Sequence, residues 1–182
     1  MTPEEAYEEA LHRIRQAEET GAVELDLSGL SELTRLPQDL ERLITLRKLH
    51  ADDCKHLGII SSFAKLTALE ELWLNDCTQL DDLSPLAALT ELQELRLHNC
   101  IQLNDLLPLA NLTSLELLAL WGCEKLSDLS PLIKVRSLKI LDLSLCTGVR
   151  RSPLNTRLPA KHSVKSFCVS RRHQCQGAGS RS

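Results

Sequence analysis

The chain has 182 residues, 43% of them hydrophobic but only 3% aromatic, and carries a net charge of −4 at neutral pH. That length fits one domain, and the shortage of rings leaves the core to branched aliphatics, of which leucine alone supplies 40. No run of about 18 apolar residues occurs and Met1–Glu9 is acidic without an apolar signal core, so neither a membrane span nor a secretion signal is expected and a cytoplasmic location is the default.

The chain opens on Thr2-Pro3-Glu4-Glu5, a strong helix start. Thr2 can cap, Pro3 suits the first helical position, and Glu5 completes the capping-box pattern. Tyr7, Ala10, Leu11, Ile14 and Ala17 then form one apolar stripe, and Gly21 is the natural stop. Residues 1–20 are read as an amphipathic capping helix that covers the first edge of the array behind it. The competing reading, a helix lying on a membrane or a partner, is disfavoured for anionic lipid by the acidic polar face.

From residue 21 onward the chain repeats itself. Leu66–Ala88 reads LTALEELWLNDCTQLDDLSPLAA, Leu89–Asn111 reads LTELQELRLHNCIQLNDLLPLAN, and Leu112–Lys134 reads LTSLELLALWGCEKLSDLSPLIK. The 23-residue step holds through Cys54, Cys77, Cys100, Cys123 and Cys146, which marks a stacked array. Each unit predicts one short strand, the first at Val23–Leu27 and the last at Leu141–Leu143, paired in parallel with its neighbours, leucines inward. After each Cys come a turn and Leu-x-Asp-Leu-(Ser/Leu)-Pro-Leu. Ser84 before Pro85 and Ser130 before Pro131 predict a capped helical turn on the return side, and Asp82, Asp105 and Asp128 are expected to bond local backbone amides.

The pattern L-x-x-L-x-L-x-x-C-x-x-L resembles the leucine-rich repeat, with Cys in the slot that family fills with Asn or Cys. The match spans residues 21–148 in six strand units. The resemblance implies an α/β solenoid with a curved parallel sheet on its concave face and short helical turns or loops on the convex side. The opening EEALHRIRQAEETGAVELDLSGL with TRLPQDLERL is similar to bacterial leucine-rich arrays, some of which precede a Roc-type GTPase. The phosphate-binding G-x-x-x-x-G-K-[ST] of such a GTPase is not in this sequence.

The frame is lost after Cys146, where Ser152-Pro153-Leu154 arrives 22 residues after Ser130-Pro131-Leu132 and nothing repeats beyond Thr156. Residues 1–142 hold all 25 acids and 13 basic residues, a balance of −12, whereas residues 143–182 hold 8 basic residues and no acid. Residues 149–182 are therefore read as a basic, disordered tail, and not as a C-terminal cap. The expectation is that a natural array continued here and that truncation or a change of reading frame replaced the rest.

Five of the seven cysteines share one repeat position, which predicts an inward ladder of small buried hydrophobes with weak S–H donors. An odd number of parallel side chains argues against bridges. Cys168 and Cys175 with His162 and His173 have no zinc-finger spacing, and His50, Asp52, Cys54 and His56 do not converge because alternation sends Cys54 inward and its neighbours out. No metal or other cofactor is expected. Ser28 and Ser144 have nothing to activate them, and pairs such as Asp52-Asp53 and Asp81-Asp82 read as solvated turns, so catalysis is not expected.

The outward face of the strands is the better place for function. Aligned repeats give one column of Glu24, Lys48, Glu71, Glu94, Leu117 and Ile140. A second holds Asp26, His50, Trp73, Arg96, Ala119 and Asp142, and a third Ser28, Asp52, Asn75, His98, Trp121 and Ser144. Both tryptophans fall on this face beside Arg96, the composition of a binding hot spot; against that stands the reading that each merely packs on long neighbours. Leu117, Ala119, Trp121 and Ile140 form an apolar patch, to be covered by a partner or by further array. The expected site is His50, Asp52, Glu71, Trp73, Asn75, Glu94, Arg96, His98 and Trp121. Its expected partner is a protein segment of basic or mixed charge and neither a membrane nor nucleic acid, whose phosphates the acidic face repels. Two other readings stay open: a sensor arm of a larger enzyme such as a Roc-type GTPase, and a degenerate array without function.

Overall fold

The computed structural model describes residues 1–149. Ser152-Pro153-Leu154, the cysteines and histidines at 162–175, and the rest of the basic segment lie outside the described residues.

Helix α1 spans Pro3–Thr20. Both halves of the capping box form: the Glu5 amide donates to Thr2 Oγ1 at 3.2 Å, and the Thr2 amide donates to Glu5 Oε2 at 2.8 Å. Gly21 ends the helix in the left-handed region at φ 62°, where a side chain would be strained. The helix buries Ala6, Ala10, Leu11, Ile14 and Ala17. Ala6 therefore takes the place expected of Tyr7. Its single methyl lets the helix settle close onto the first repeat, while Tyr7 stays half-buried with the Arg35 guanidinium 5.4 Å from its ring centre.

Among the described residues six parallel strands form one sheet in sequence order: β1 Glu24–Asp26, β2 Lys48–His50, β3 Glu71–Trp73, β4 Glu94–Arg96, β5 Leu117–Ala119 and β6 Ile140–Asp142. The register places Leu25, Leu49, Leu72, Leu95, Leu118 and Leu141 side by side, each fully or nearly fully buried. Each three-residue strand buries its central leucine, and the residue directly after the strand is buried as well, at Leu27, Ala51, Leu74, Leu97, Leu120 and Leu143. Inter-repeat bonding continues past the strands, as in Leu74 N–H to the Arg96 carbonyl at 2.9 Å.

Among the described residues the return side carries five short 3-10 helices, Gln38–Arg42, Ser61–Lys65, Ser84–Ala88, Leu107–Asn111 and Ser130–Lys134. The expected Ser caps are not made. Leu83 and Leu129 occupy the cap positions without a side-chain bond, and the capping acceptor comes from the aspartate upstream. Asp82 Oδ1 accepts the Ser84 amide, Asp105 Oδ1 the Leu107 amide and Asp128 Oδ1 the Ser130 amide, each at 2.8 Å. A carboxylate reaches two residues forward and accepts more strongly than a hydroxyl, and the Ser84 and Ser130 hydroxyls themselves donate back to Asp82 and Asp128.

The cysteine ladder forms as expected. Each thiol donates to a carbonyl of the preceding repeat: Cys54 to Leu27 at 3.4 Å, Cys77 to Ala51 at 3.3 Å, Cys100 to Leu74 at 3.2 Å, Cys123 to Leu97 at 3.1 Å and Cys146 to Leu120 at 2.9 Å. Burial pushes the thiols up, Cys54 and Cys146 to about 11 and Cys123 to about 12. Val149, where the tail was expected to begin, is buried in the same core.

A second column was not anticipated. Gly29, Asp53, Asp76, Asn99, Gly122 and Leu145 all have φ between 55° and 81° and occupy one repeat position, just before the Cys column. Glycine, Asp and Asn fill five of the six, the residue types that enter the left-handed region most cheaply. That composition was legible in the aligned repeats.

Candidate functional site

Alternation along each strand turns the residues flanking the buried leucine onto one open sheet face. At its centre the second column forms a stack. The His50 and Trp73 rings lie 4.0 Å apart and nearly parallel at 13°, and the Arg96 guanidinium sits 4.4 Å from the centre of the Trp73 ring. The register that brings His50, Trp73 and Arg96 side by side creates this arrangement. Glu94 ties it down, accepting from Trp73 Nε1 at 3.1 Å and from Arg96 Nε at 2.5 Å. Trp73 is thus half-buried between a cation and a ring, not an open platform.

Glu71 flanks the stack, 2.9 Å from Lys48 Nζ and 3.5 Å from His50 Nε2. Burial pushes its carboxyl up, but the Lys48 ammonium and the neighbouring His50 imidazole outweigh it and hold the group below the usual carboxylate range.

The third column is a relay. Asp52 N–H donates to Ser28 Oγ at 3.1 Å, Asn75 N–H to Asp52 Oδ1 at 2.8 Å, and His98 N–H to Asn75 Oδ1 at 2.9 Å. Each short polar side chain therefore satisfies the backbone of the next repeat. Asp52 and Asn75, both expected in the binding set, spend one oxygen each on the fold. Burial raises the Asp52 carboxyl despite the bond from Asn75. The recurrence of Ser, Asp and Asn one repeat apart was the available signal. The relay stops at His98, whose ring meets Trp121 edge-on with centres 6.3 Å apart.

The expected apolar patch is only partly present. Ala119 is 6% exposed, so it is floor and not contact surface, being too short to rise between Arg96 and Asp142 in the same column. Leu117 and Trp121 are half-buried and Ile140 is 40% exposed. Leu117 and Ile140 instead belong to a groove of about 350 Å³ at the N-terminal ends of the strands. It is lined by Lys48, Glu70, Glu71, Gln93, Glu94, Glu116, Leu117, Lys139 and Ile140. Glu70, Gln93, Glu116 and Lys139 precede their strands and were missed because only strand residues and their successors were aligned as columns.

Of the nine expected site residues the structure brings His50, Trp73, Arg96, Glu71 and Glu94 into one network. His98 and Trp121 form a second aromatic pair, and Asp52 and Asn75 join the relay. Among the described residues no group of three or more His, Cys, Asp or Glu is arranged to hold a metal ion, and no helix is long and apolar enough to cross a membrane.

Comparison with known proteins agrees with this architecture. Residues 44–88 match the family model described as leucine-rich repeats in two copies. The fold is similar to that of internalin C2 from Listeria monocytogenes, with a TM-score of 0.52 and 24% identity over 70% of this chain. The chain spans 63% of that protein's length. Further similar structures are a plant peptide hormone receptor in complex with RGF2 and a leucine-rich-repeat protein of Leptospira interrogans. The receptor has a TM-score of 0.49 and 18% identity over 75% of this chain and 28% of its own; the Leptospira protein has a TM-score of 0.47 and 19% identity over 75% and 50%. No curated protein matches the sequence.

Proposed function

We propose that this leucine-rich-repeat protein is a protein-interaction module that binds an extended protein segment of basic or mixed charge across its open sheet face. Leucine-rich-repeat folds commonly mediate protein–protein interaction, which supports this class of function. The observation that supports this face in particular is its pre-ordered centre: His50, Trp73, Arg96 and Glu94 are locked together before any partner arrives. Ordering side chains is a main cost of association, and a face already stacked avoids much of it.

The proposed contacts are His50, Glu71, Trp73, Glu94, Arg96, His98 and Trp121, with Asp52 and Asn75 offering the capacity that the relay leaves free. A cytoplasmic setting suits the five unbridged, buried thiols of the described residues. The test begins with affinity capture from cell lysate by the full chain and mass spectrometry of what is retained. Trp73→Ala and Trp121→Ala are then expected to weaken capture of that partner at least tenfold each, as loss of a central aromatic anchor does. Unchanged capture by both variants, with unchanged circular dichroism, would remove the sheet face from the function.

A further inference from the structure

We propose that the groove at the N-terminal ends of β3–β6 is occupied in cis by the basic segment of this chain, residues 150–182. The proposal rests on the sheet-face reading above and names the first occupant of that face. Three observations support it.

The first is charge. Four glutamates line the groove, Glu70, Glu71, Glu94 and Glu116, against two lysines, while residues 150–182 hold eight basic residues and no acid. Each glutamate already has an intramolecular cation: Arg47 at Glu70, Lys48 at Glu71, Arg96 at Glu94 and Lys139 at Glu116. Arg47–Glu70 and Lys139–Glu116 are surface pairs, which exchange partners at little cost, so an arriving cation can share or replace them.

The second is the order of chemistry along the groove. From β6 toward β3 it runs apolar and then acidic, Ile140 and Leu117 followed by Glu94 and Glu71. An extended segment crossing in that direction needs an apolar side chain followed by a basic one on the same side, two residues on. Val169-Ser170-Arg171 has that form.

The third is reach. The described chain stops at Val149, in the same repeat that places Ile140 in the groove. The remaining residues can extend to about 100 Å, whereas crossing β3–β6 takes only about 14 Å. Tethering of this kind supplies an effective concentration of about a millimolar, enough to outcompete a free segment of equal chemistry.

The test uses a fluorescent synthetic peptide of residues 150–182, under reducing conditions, titrated with two full-length proteins. One is the unaltered chain and the other carries Lys161→Gln, Lys165→Gln, Arg171→Gln and Arg172→Gln together. If the groove is filled in cis, the neutralised chain binds the peptide about tenfold or more tightly than the unaltered chain. Adding Glu94→Gln and Ile140→Ser to the neutralised chain then abolishes that binding. Equal affinity for the two chains, or no binding to the neutralised one, overturns the proposal. Neither result touches the sheet-face reading, which falls only if the captured partner survives loss of both tryptophans. Circular dichroism and a cooperative melt of every variant separate lost binding from lost fold.

Discussion

A single side chain in the wrong conformational region is the sharpest local test of this structure. Leu145 sits at φ 58° in the column that every other repeat fills with Gly, Asp or Asn, and its side chain gains no burial there, being 42% exposed. Leu145→Asn is therefore expected to stabilise the protein by about 1 kcal/mol in urea denaturation, by relieving left-handed strain. Gly122, in the same column, differs from Gly29 in its surroundings. A methyl at Gly122 would collide with the Asn99 amide oxygen, whereas one at Gly29 would meet nothing within 4 Å. Gly122→Ala is expected to cost about 2 kcal/mol and Gly29→Ala only about 1 kcal/mol, the second figure being the backbone penalty alone. This column was readable in the aligned repeats, since only the left-handed region selects Gly, Asp and Asn together. The role of Asp52 and Asn75 was not. A short polar residue on an outward column looks the same in sequence whether it faces solvent or accepts the next repeat's amide.

At the scale of the element, the cysteine ladder shows why the core was legible from spacing. Each slot admits one small side chain that can bond the preceding repeat's carbonyl, so the constraint repeats whenever the chain does. With its thiol raised to about 11, Cys54 is ionised at pH 8 in roughly one molecule in a thousand, and it is shielded as well. Iodoacetamide at pH 8 is expected to leave Cys54, Cys77, Cys100, Cys123 and Cys146 unmodified in the native protein. In denaturant all five should alkylate, with peptide mapping to distinguish them. The return side was legible in position but not in mechanism. The Ser-Pro pair marks where the 3-10 helix begins, yet the acceptor that caps it comes from Asp82 or Asp128 two residues earlier, because a carboxylate outcompetes a hydroxyl for a backbone amide.

For the whole molecule, stability is a chain of nearest-neighbour contacts, and α1 seals the N-terminal end of that chain. Ile14 is fully buried between the helix and the first repeat. Ile14→Ala is expected to cost about 3 kcal/mol. The loss should be local: hydrogen exchange at Leu25 and Leu49 should accelerate far more than at Leu118, since distant repeats touch neither the helix nor each other. Architecture at this scale was the most legible of all, for a 23-residue period can bury its leucines only by stacking. The groove at the strand ends was the least legible. It combines the first strand column, which the aligned repeats showed, with Glu70, Gln93, Glu116 and Lys139 just before their strands, and no single unit of sequence contains it.

The seal also governs assembly. Strand β1 has a neighbour on one side only, and Arg13 of α1, held by Glu9 at 2.7 Å, donates to the Asp26 carbonyl at 3.3 Å. A guanidinium lodged against that strand denies an incoming chain the template for edge-to-edge growth. Pairing of another strand onto the N-terminal edge of the sheet is therefore expected to be disfavoured.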